Sequence, residues 1–271
     1  SQARIMEEAC PQNLIYAFIF QKRALPAYQE IRRLVQSGIY GRIKRISWTV
    51  TDWYRPNFYY EEVPWRGTWK LDGGGTLLNQ CPHNLDLLQW ICGMPARVQG
   101  FCHNGKYHPI EVEDEVTAYM EWDNGATGIF TASTGEAPGV NRLEIALDNG
   151  LLVYEQEQLT ASLLDKPERE YRLHSSASFI YPKYRREIIP TTEEGQPYLD
   201  ILNNFAAAAA DRAPLIAPGA EGRKSLLLSN AIYLSSWTGK MVSIPQPGSA
   251  KEREFEEAFA TEWRMRAGEI K

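Results

Sequence analysis

Short apolar segments separated by turn signals fill residues 98–171, and they limit the possible folds of this chain more than any other feature. Apolar and polar residues alternate within segments such as VTAYMEW, and Asn-Gly pairs at 124–125 and 149–150 separate neighbouring segments. Asn-Gly between alternating segments is a strong β-hairpin signal, and consecutive hairpins form antiparallel pairs. The sequence GRIKRISWTVTDWY, which starts at Gly41, alternates in the same way and predicts one more half-buried strand.

Four further segments have the apolar spacing of helices, and they lie at 26–36, 197–212, 221–240 and 252–270. In the second of them, Leu199, Leu202 and Phe205 are predicted to face the core. The polar stretch 172–196 is predicted to be a long loop. Together these elements predict an α+β fold, with an open, mainly antiparallel sheet flanked by helices.

The first twenty residues predict two elements that the sheet does not explain. An amphipathic helix ends at Pro11, and LIYAFIF, from Leu14 to Phe20, is a continuous apolar strand. Such a strand usually lies in a sheet that is covered on both faces. We therefore expect either that its neighbouring strands are missing from this sequence or that it docks elsewhere.

The composition is that of an ordinary globular protein, with 44% hydrophobic and 23% charged residues among 271. A net charge of −5 argues against a nucleic-acid binder that is held by phosphate contacts. Four cysteines are too few for a disulfide framework at this length, so we expect a reducing, cytoplasmic location. No apolar run approaches about 20 residues, the length of a membrane-spanning helix, so no membrane contact is predicted.

The segment GGGTLLNQCPHNLDLLQW, residues 73–90, combines polar side chains with the apolar spacing of a core helix. Asn79 and His83 are four residues apart and share a face if the segment is one helix. Pro82 must kink that helix or begin a new one. In the second case His83 lies in the first turn, where the helix dipole lowers the pKa of its imidazole. A neutral imidazole can act as a general base, and the alternative is a structural histidine beside a kinked core helix.

Two other site types are disfavoured in this region. No Lys-Ser or Lys-Thr follows the glycines at 73–75, so a phosphate-binding P-loop is not indicated. The glycines instead predict a tight turn that lets the backbone approach a ligand. The possible zinc ligands are Cys81, His83, Cys102, His103 and His108. A Cys-x-His spacing is too short for the usual structural zinc site, so no metal is predicted.

The loop at 52–70 is dense in aromatic and basic side chains. Its candidates for substrate contact are Trp53, Tyr54, Arg55, Trp65, Arg66 and Trp69. Aromatic faces stack on sugars or bases, and arginines bind carboxylates or phosphates. A site for single-stranded nucleic acid would need the same mixture, but the acidic net charge argues against it. The alternative is a structural aromatic cluster that fixes a long loop.

Several short motifs together resemble those of one known family. They are Arg23-x-x-Pro26, Ser-Gly-x-x-Gly at 37–41, the glycines at 73–75, His83 followed by Asp86, and Glu-Asp-Glu at 113–115. Their combination resembles the C-terminal part of the Gfo/Idh/MocA family of NAD(P)-dependent sugar and cyclitol dehydrogenases. That family has a nucleotide-binding Rossmann domain followed by a larger domain with an open antiparallel sheet, and the similarity covers the second.

The resemblance implies that residues 1–24 are the last helix and strand of a Rossmann-like domain and that residues 25–271 form a substrate-binding and oligomerisation domain. Neither Gly-x-Gly-x-x-Gly nor the Glu-Lys-Pro motif, whose lysine the family places at the reacting centre, occurs in the sequence. NAD or NADP is therefore expected to be bound mainly by an N-terminal domain absent from this chain. The chain alone is expected to be inactive.

The resemblance also implies roles for three side chains. His83 aligns with the histidine that takes the substrate hydroxyl proton, and Asn79 stands where an aspartate is common. Arg23 matches a position near the domain junction and is expected to contact substrate, with a surface salt bridge as its alternative role. The expected substrate is a sugar or cyclitol with a secondary alcohol, and the expected assembly is a homodimer or homotetramer through the sheet face. The alternative function is a non-catalytic carbohydrate-binding or assembly module with the same fold.

Overall fold

A computed structural model describes residues 2–11, 13–191 and 195–269. Within these residues, nine strands form one sheet in the order β8-β7-β6-β5-β1-β4-β3-β2-β9. The strands are β1 Ile43–Val50, β2 Arg97–Asn104, β3 Glu113–Glu121, β4 Thr127–Ser133, β5 Asn141–Leu147, β6 Gly150–Glu155, β7 Gln158–Leu164, β8 Tyr184–Ile189 and β9 Val242–Ser243. The predicted α+β fold with a mainly antiparallel sheet is confirmed.

Every described neighbouring pair of strands is antiparallel except β1 and β4. The predicted hairpins appear as the pairs β2–β3, β3–β4, β5–β6 and β6–β7. β1 comes first in the chain but lies between β4 and β5, so it separates the two runs of hairpins. This insertion produces the parallel pair.

The described α-helices are α1 Gln2–Ala9, α2 Pro26–Gln36, α3 Asn57–Glu61, α4 Thr76–Asn79, α5 Pro82–Cys92, α6 Glu168–His174, α7 Pro197–Ala209, α8 Gly219–Thr238 and α9 Ala250–Arg266. A 3₁₀ helix spans Gln21–Ala24. Helices α2, α4 and α8 contact the sheet, and α5 packs between α2 and α8. No helix in the described part of the chain is long and apolar enough to cross a membrane.

Helices cover one face of the sheet, and alternation along the strands divides the core from the opposite face. On β3 the side chains of Val116, Ala118 and Met120 are fully buried, while those of Thr117 and Tyr119 are partly exposed. A period of two places alternate side chains on opposite faces. The sheet is therefore open on one face, as predicted.

Three local predictions are wrong. Residues 14–20 form no strand of the sheet, because their sheet-type pairing among the described residues is one bridge, Ala17 to Pro218. The predicted inward residues of α7 are exposed, and Ile201 and Ala208 are buried instead. The predicted loop 172–196 contains the end of α6 and the whole of β8, which pairs with β7. In each case tertiary pairing or packing outweighed the local pattern.

Candidate active site

The segment 73–90 folds as two helices rather than one. α4 ends at Asn79, and α5 begins with Pro82 at its first position and His83 in its first turn. Proline is favoured there because its missing N–H would have no partner in the helix and its φ angle is already helical. The polar residues of this segment thus lie at helix ends, while Leu85 and Leu88 face the core.

Glycine is required before α4 because the backbone approaches a buried carboxylate. A Cβ on Gly75 would lie 1.9 Å from the carbonyl oxygen of Glu113. The Glu113 carboxylate accepts hydrogen bonds from the Gly75 and Leu77 amides at 3.0 and 2.8 Å and from the Tyr233 hydroxyl at 2.6 Å. The glycines predict that the backbone approaches a ligand. At Gly75 the backbone approaches Glu113 of the protein itself.

His83 has a half-buried imidazole that no hydrogen bond occupies. The ring packs edge-on against Phe20, with 5.9 Å between ring centroids. Within the described residues its Nδ1 atom is buried without a hydrogen-bond partner. Burial lowers the imidazole pKa, and the nearby charge of Lys22 lowers it further. The predicted direction of the pKa shift is confirmed, and its physical cause is burial and a neighbouring cation.

Lys22 is a member of this site that the sequence did not single out. Its Nζ atom lies 3.4 Å from the Asn84 side-chain oxygen and 5.3 Å from the centre of the Trp53 ring. Burial lowers the pKa of Lys22, while the negative charge of Asp52 opposes that shift. Arg23, the next residue, belongs to the Arg-x-x-Pro motif, but no local sequence pattern distinguishes Lys22.

A row of alternating rings and cations continues from Lys22 along the loop 52–70. The Arg55 guanidinium lies 5.5 Å from the Trp53 ring and 4.9 Å from the Tyr59 ring. The Arg66 guanidinium carbon lies 4.1 Å from the centre of the same Tyr59 ring. Cation–π contacts of this kind hold the loop against the helix ends. We call Lys22, Trp53, Arg55, Tyr59, Arg66 and His83 the cationic site.

Unpartnered polar atoms concentrate in and beside the cationic site. Among the described residues, the buried atoms without a partner here are Gln21 Oε1, Trp53 Nε1, Arg55 Nε, Arg66 Nε, His83 Nδ1 and Asn84 Nδ2. Buried polar groups in folded proteins are normally hydrogen-bonded, so a cluster of exceptions indicates a place where a ligand or solvent binds.

Asn79 lies at the edge of the cationic site but does not contact His83. Its side-chain oxygen accepts a hydrogen bond from the Tyr59 hydroxyl at 3.3 Å, and its nitrogen donates to Asp72 at 3.1 Å. Gln80 also donates to its oxygen. No hydrogen bond joins Asn79 to His83 in the described part of the chain, because the break between α4 and α5 separates them.

The structure separates the remaining candidates into exposed and buried groups. Tyr54 and Trp65 are exposed on the loop, at 51% and 42%. Trp69 is buried at 3% and packs against Tyr233 and Trp237, with both centroid distances 5.5 Å. Its large apolar ring completes the core beneath the loop, so the prediction that Trp69 contacts substrate is not supported.

Arg23 is also a structural residue in this fold. Its side chain is fully buried and forms two parallel hydrogen bonds with Asp86, at 2.7 and 2.6 Å. Its third nitrogen donates to Glu221 at 2.5 Å and to a backbone carbonyl. All three of its side-chain nitrogens donate to protein acceptors, so the prediction that Arg23 binds substrate is not supported, and its ion pair is buried rather than on the surface.

No group of three or more His, Cys, Asp or Glu side chains that could hold a metal occurs in the described residues. His108 Nε2 donates to the Arg55 carbonyl at 2.8 Å, and its Nδ1 shares a hydrogen bond with the Asp114 carboxyl group at 2.9 Å. It therefore fixes the backbone of the loop. The largest described cavity, about 640 Å³, lies between α1, α8 and α9 and contains no residue of the cationic site.

The sequence and fold of this chain are similar to those of known proteins. Residues 28–153 match the profile of the GFO/IDH/MocA C-terminal domain. Levoglucosan dehydrogenase of Pseudarthrobacter phenanthrenivorans is 24% identical over 275 residues, covering 87% of this chain and 68% of that protein.

Two solved structures are similar over most of the chain. The WlbA dehydrogenase of Chromobacterium violaceum, in complex with NADH and UDP-GlcNAcA, is 29% identical with a TM-score of 0.67, covering 83% of this chain and 61% of that one. The WlbA dehydrogenase of Bordetella pertussis, with the same two ligands, is 25% identical with a TM-score of 0.70, covering 90% and 68%. Residues 28–153, just under half of the chain, thus match the C-terminal domain of the Gfo/Idh/MocA family, and the chain shares its fold with the two dehydrogenases.

Proposed function

We propose that this chain forms the substrate side of the active site of an NAD(P)-dependent dehydrogenase that oxidises a secondary alcohol of a sugar or cyclitol. The observation that carries the proposal is His83 at the start of α5, a half-buried histidine whose Nδ1 has no hydrogen-bond partner among the described residues and which lies beside a row of aromatic and cationic side chains. The relatives are named as sugar dehydrogenases, and two were solved with NADH and a nucleotide sugar.

The chemistry required of His83 is to accept the proton of the substrate hydroxyl. Burial and the charge of Lys22 both lower its pKa, so the imidazole is neutral and able to accept a proton at neutral pH. Trp53 offers an aromatic face on which the apolar side of a sugar ring can stack.

The described residues do not fit a dinucleotide by themselves. A pyrophosphate site in a Rossmann fold needs a glycine-rich turn between a parallel strand and a helix, and no described strand is followed by one. We propose that residues 1–24 belong to a nucleotide-binding domain and that residues 25–271 form the substrate domain. NAD or NADP would be held mainly by the nucleotide-binding domain. No step of the reaction is assigned to cofactor contacts of this chain.

A second candidate function is that of a non-catalytic carbohydrate-binding or assembly module, which the aromatic and cationic side chains of the cationic site would also suit. In that case sugar would bind at the cationic site without turnover. A reducing, cytoplasmic location is proposed for either function, since all four cysteines are unpaired in the fold.

Steady-state kinetics of the full natural protein, with NAD or NADP and a panel of sugars and cyclitols, tests the proposal. We expect His83→Ala to lower kcat by about 10²–10⁴-fold, the usual contribution of a positioned proton-transfer group, while cofactor affinity changes little. Unaltered turnover together with a much lower melting temperature would identify His83 as a core residue. Sugar binding without turnover in the parent protein would favour the binding module.

Asn79 gives a second test of the same site. The resemblance suggests that aspartate suits this position, but the Asn79 amide donates to Asp72 at 3.1 Å. A carboxylate at 79 would face a second carboxylate at hydrogen-bond distance, and like charges repel. We therefore expect Asn79→Asp to lower activity or stability, with Asn79→Ser as the uncharged control. Equal activity of Asn79→Asp and the parent would contradict this expectation.

A further inference from the structure

Two cations of the cationic site lack the acidic partner that buried cations normally have. Lys22 is half-buried and its described hydrogen bond goes to Asn84, a neutral amide. The Arg55 side chain is also half-buried, and it donates to the Tyr54 carbonyl. Neither forms a salt bridge with any described residue, whereas Arg66 beside them pairs with Glu62 at 3.0 Å.

The nearby acidic groups are occupied or distant. The Asp72 carboxylate accepts from Asn79 and from the Gly67 amide. Asp52 is exposed and accepts a hydrogen bond from Asn141 at 3.2 Å. The charge of Asp52 acts on Lys22 without a salt bridge between them, and burial still lowers the pKa of Lys22, because an incompletely hydrated cation costs free energy.

The unpartnered atoms between these two cations are hydrogen-bond donors. Trp53 Nε1 and Arg55 Nε are both buried and unpartnered, and indole and guanidinium N–H groups can only donate. The Trp53 ring lies within 5.3 Å of Lys22 Nζ and 5.5 Å of the Arg55 guanidinium carbon. Two charges and two free donors around one ring therefore require an acceptor, and a negatively charged acceptor satisfies both needs.

We propose that Lys22, Trp53 and Arg55 bind an oxyanion carried by the substrate, so that the preferred substrate is a sugar bearing a carboxylate or phosphate group rather than a neutral sugar. The inference rests on the proposed function, because it places the anionic substituent next to the hydroxyl that His83 deprotonates. Both candidate groups offer the same chemistry, a planar or tetrahedral set of oxygen acceptors. Lys22 and Arg55 are specificity residues in this proposal, and His83 keeps the proton-transfer role.

Binding of small probes to the purified protein, measured by isothermal titration calorimetry, tests this inference. The probes are D-glucuronate, D-glucose 6-phosphate, D-glucose and inorganic phosphate. We expect at least one of the two anionic sugars to bind about tenfold or more tightly than glucose, as charge-assisted hydrogen bonds predict. Whether glucuronate or glucose 6-phosphate binds more tightly identifies the anionic group.

Charge-removing variants then locate the site. Lys22→Met and Arg55→Met should each abolish most of the preference for the anionic sugar over glucose, because each removes a charge that only the anionic sugar can pair with. Arg212→Met removes one positive charge from an exposed side chain with no described partner and should retain the preference. Equal affinity for glucose and both anionic sugars would overturn the inference, as would inorganic phosphate binding as tightly as the sugars or an unaltered preference in Lys22→Met.

Failure of this inference and failure of the proposed function give different results. If His83→Ala loses turnover but the parent protein does not discriminate anionic sugars, the dehydrogenase function stands and the oxyanion site is rejected. If the parent protein prefers an anionic sugar through Lys22 and Arg55 but never turns it over, the oxyanion site stands and the dehydrogenase function is rejected.

Discussion

The side chain of Lys22 affects its surroundings through charge rather than through packing. Its ammonium group is partly removed from water, contacts a neutral amide and lowers the pKa of the His83 imidazole. A cation near a histidine disfavours the protonated imidazolium. Burial and, as the smaller cause, the charge of Lys22 both favour the neutral imidazole that the proposed general base requires.

The first prediction concerns this coupling. Lys22→Met should raise the pKa of His83 toward its ordinary value, because the repulsion between the two positive charges is removed while the burial of the ring persists. An NMR titration of the His83 ring protons measures the shift directly, and the acidic limb of the kcat/KM profile should move to higher pH with it. Arg212→Met is the charge-matched control, and an unchanged His83 titration in Lys22→Met would contradict the coupling.

The ionisation of Glu113 also depends on the fold. Burial raises its pKa from 4.5 to about 7, although hydrogen bonds from Tyr233, Leu77 and Gly75 oppose the shift. The folded state therefore holds a proton more tightly than the unfolded state between these two pH values. By linkage, this residue's contribution to stability is complete below about pH 4.5 and is lost as pH rises through about 7.

Glu113→Gln should remove that pH-dependent loss. Relative to the variant, the parent protein should lose on the order of 3 kcal/mol of unfolding free energy between about pH 4.5 and pH 7, from a pKa shift of roughly two and a half units. Urea denaturation at several pH values measures the difference. Glu254→Gln, which changes an exposed carboxylate, should leave the profile parallel to that of the parent. A Glu113→Gln profile that is also parallel would mean that Glu113 is ionised throughout this range.

At the scale of elements, a buried ion pair joins three helices near the site. Arg23 in the 3₁₀ helix binds Asp86 in α5 and Glu221 in α8. These contacts fix the 3₁₀ helix, and with it Lys22, against the start of α5. The ion pair therefore holds Lys22 in position within the cationic site, while Arg23 itself binds Asp86 and Glu221.

Removing one partner of this pair should destabilise the fold strongly. Arg23→Met leaves the Asp86 carboxylate buried with only Gln89 as a side-chain partner, and such changes cost about 3–5 kcal/mol. Chemical denaturation measures the loss of unfolding free energy. Arg33→Met, which breaks an exposed pair with Glu30, is the control and should have little effect. A stable Arg23→Met protein with weakened sugar binding would instead restore Arg23 as a substrate contact.

At the scale of the whole molecule, the open face of the sheet is the surface that helices leave uncovered. Phe101 and Ile129 are exposed there at 53% and 48%, among side chains such as Thr117 and Thr131. Most side chains on this face are polar or charged, and water solvates them. Phe101 and Ile129 are the two exposed apolar side chains that an interface on this face would bury.

We propose a homodimer or homotetramer that buries this face. Multi-angle light scattering at tens of micromolar should give a mass above that of one chain, and Ile129→Arg should shift the protein toward the monomer, because a charge would be buried at the interface. Arg253→Glu on α9, away from the sheet, should leave the mass unchanged. A parent protein that is monomeric at this concentration would remove the proposal.

The sequence by itself determined the elements whose signals are local. Alternation and Asn-Gly turns specified the hairpins of β2 to β7, and apolar spacing specified the helix at 26–36, which is α2. Pro82 indicated either a kink or a helix start, and the structure has the second, with His83 in a first turn. Such patterns suffice because turn geometry and the period of side-chain burial are properties of a few neighbouring residues.

Tertiary structure decided which of the candidate side chains meet. The sequence could not show that Arg23 and Trp69 are sealed in the core, that Asn79 faces Asp72, or that Lys22 lies beside His83. These relations join residues far apart in the chain, and hydrogen-bond partners and burial depend on how helices and strands pack. For the same reason the apolar segment at 14–20 forms no strand of the sheet: an extended backbone needs a neighbouring strand, and no local pattern supplies one.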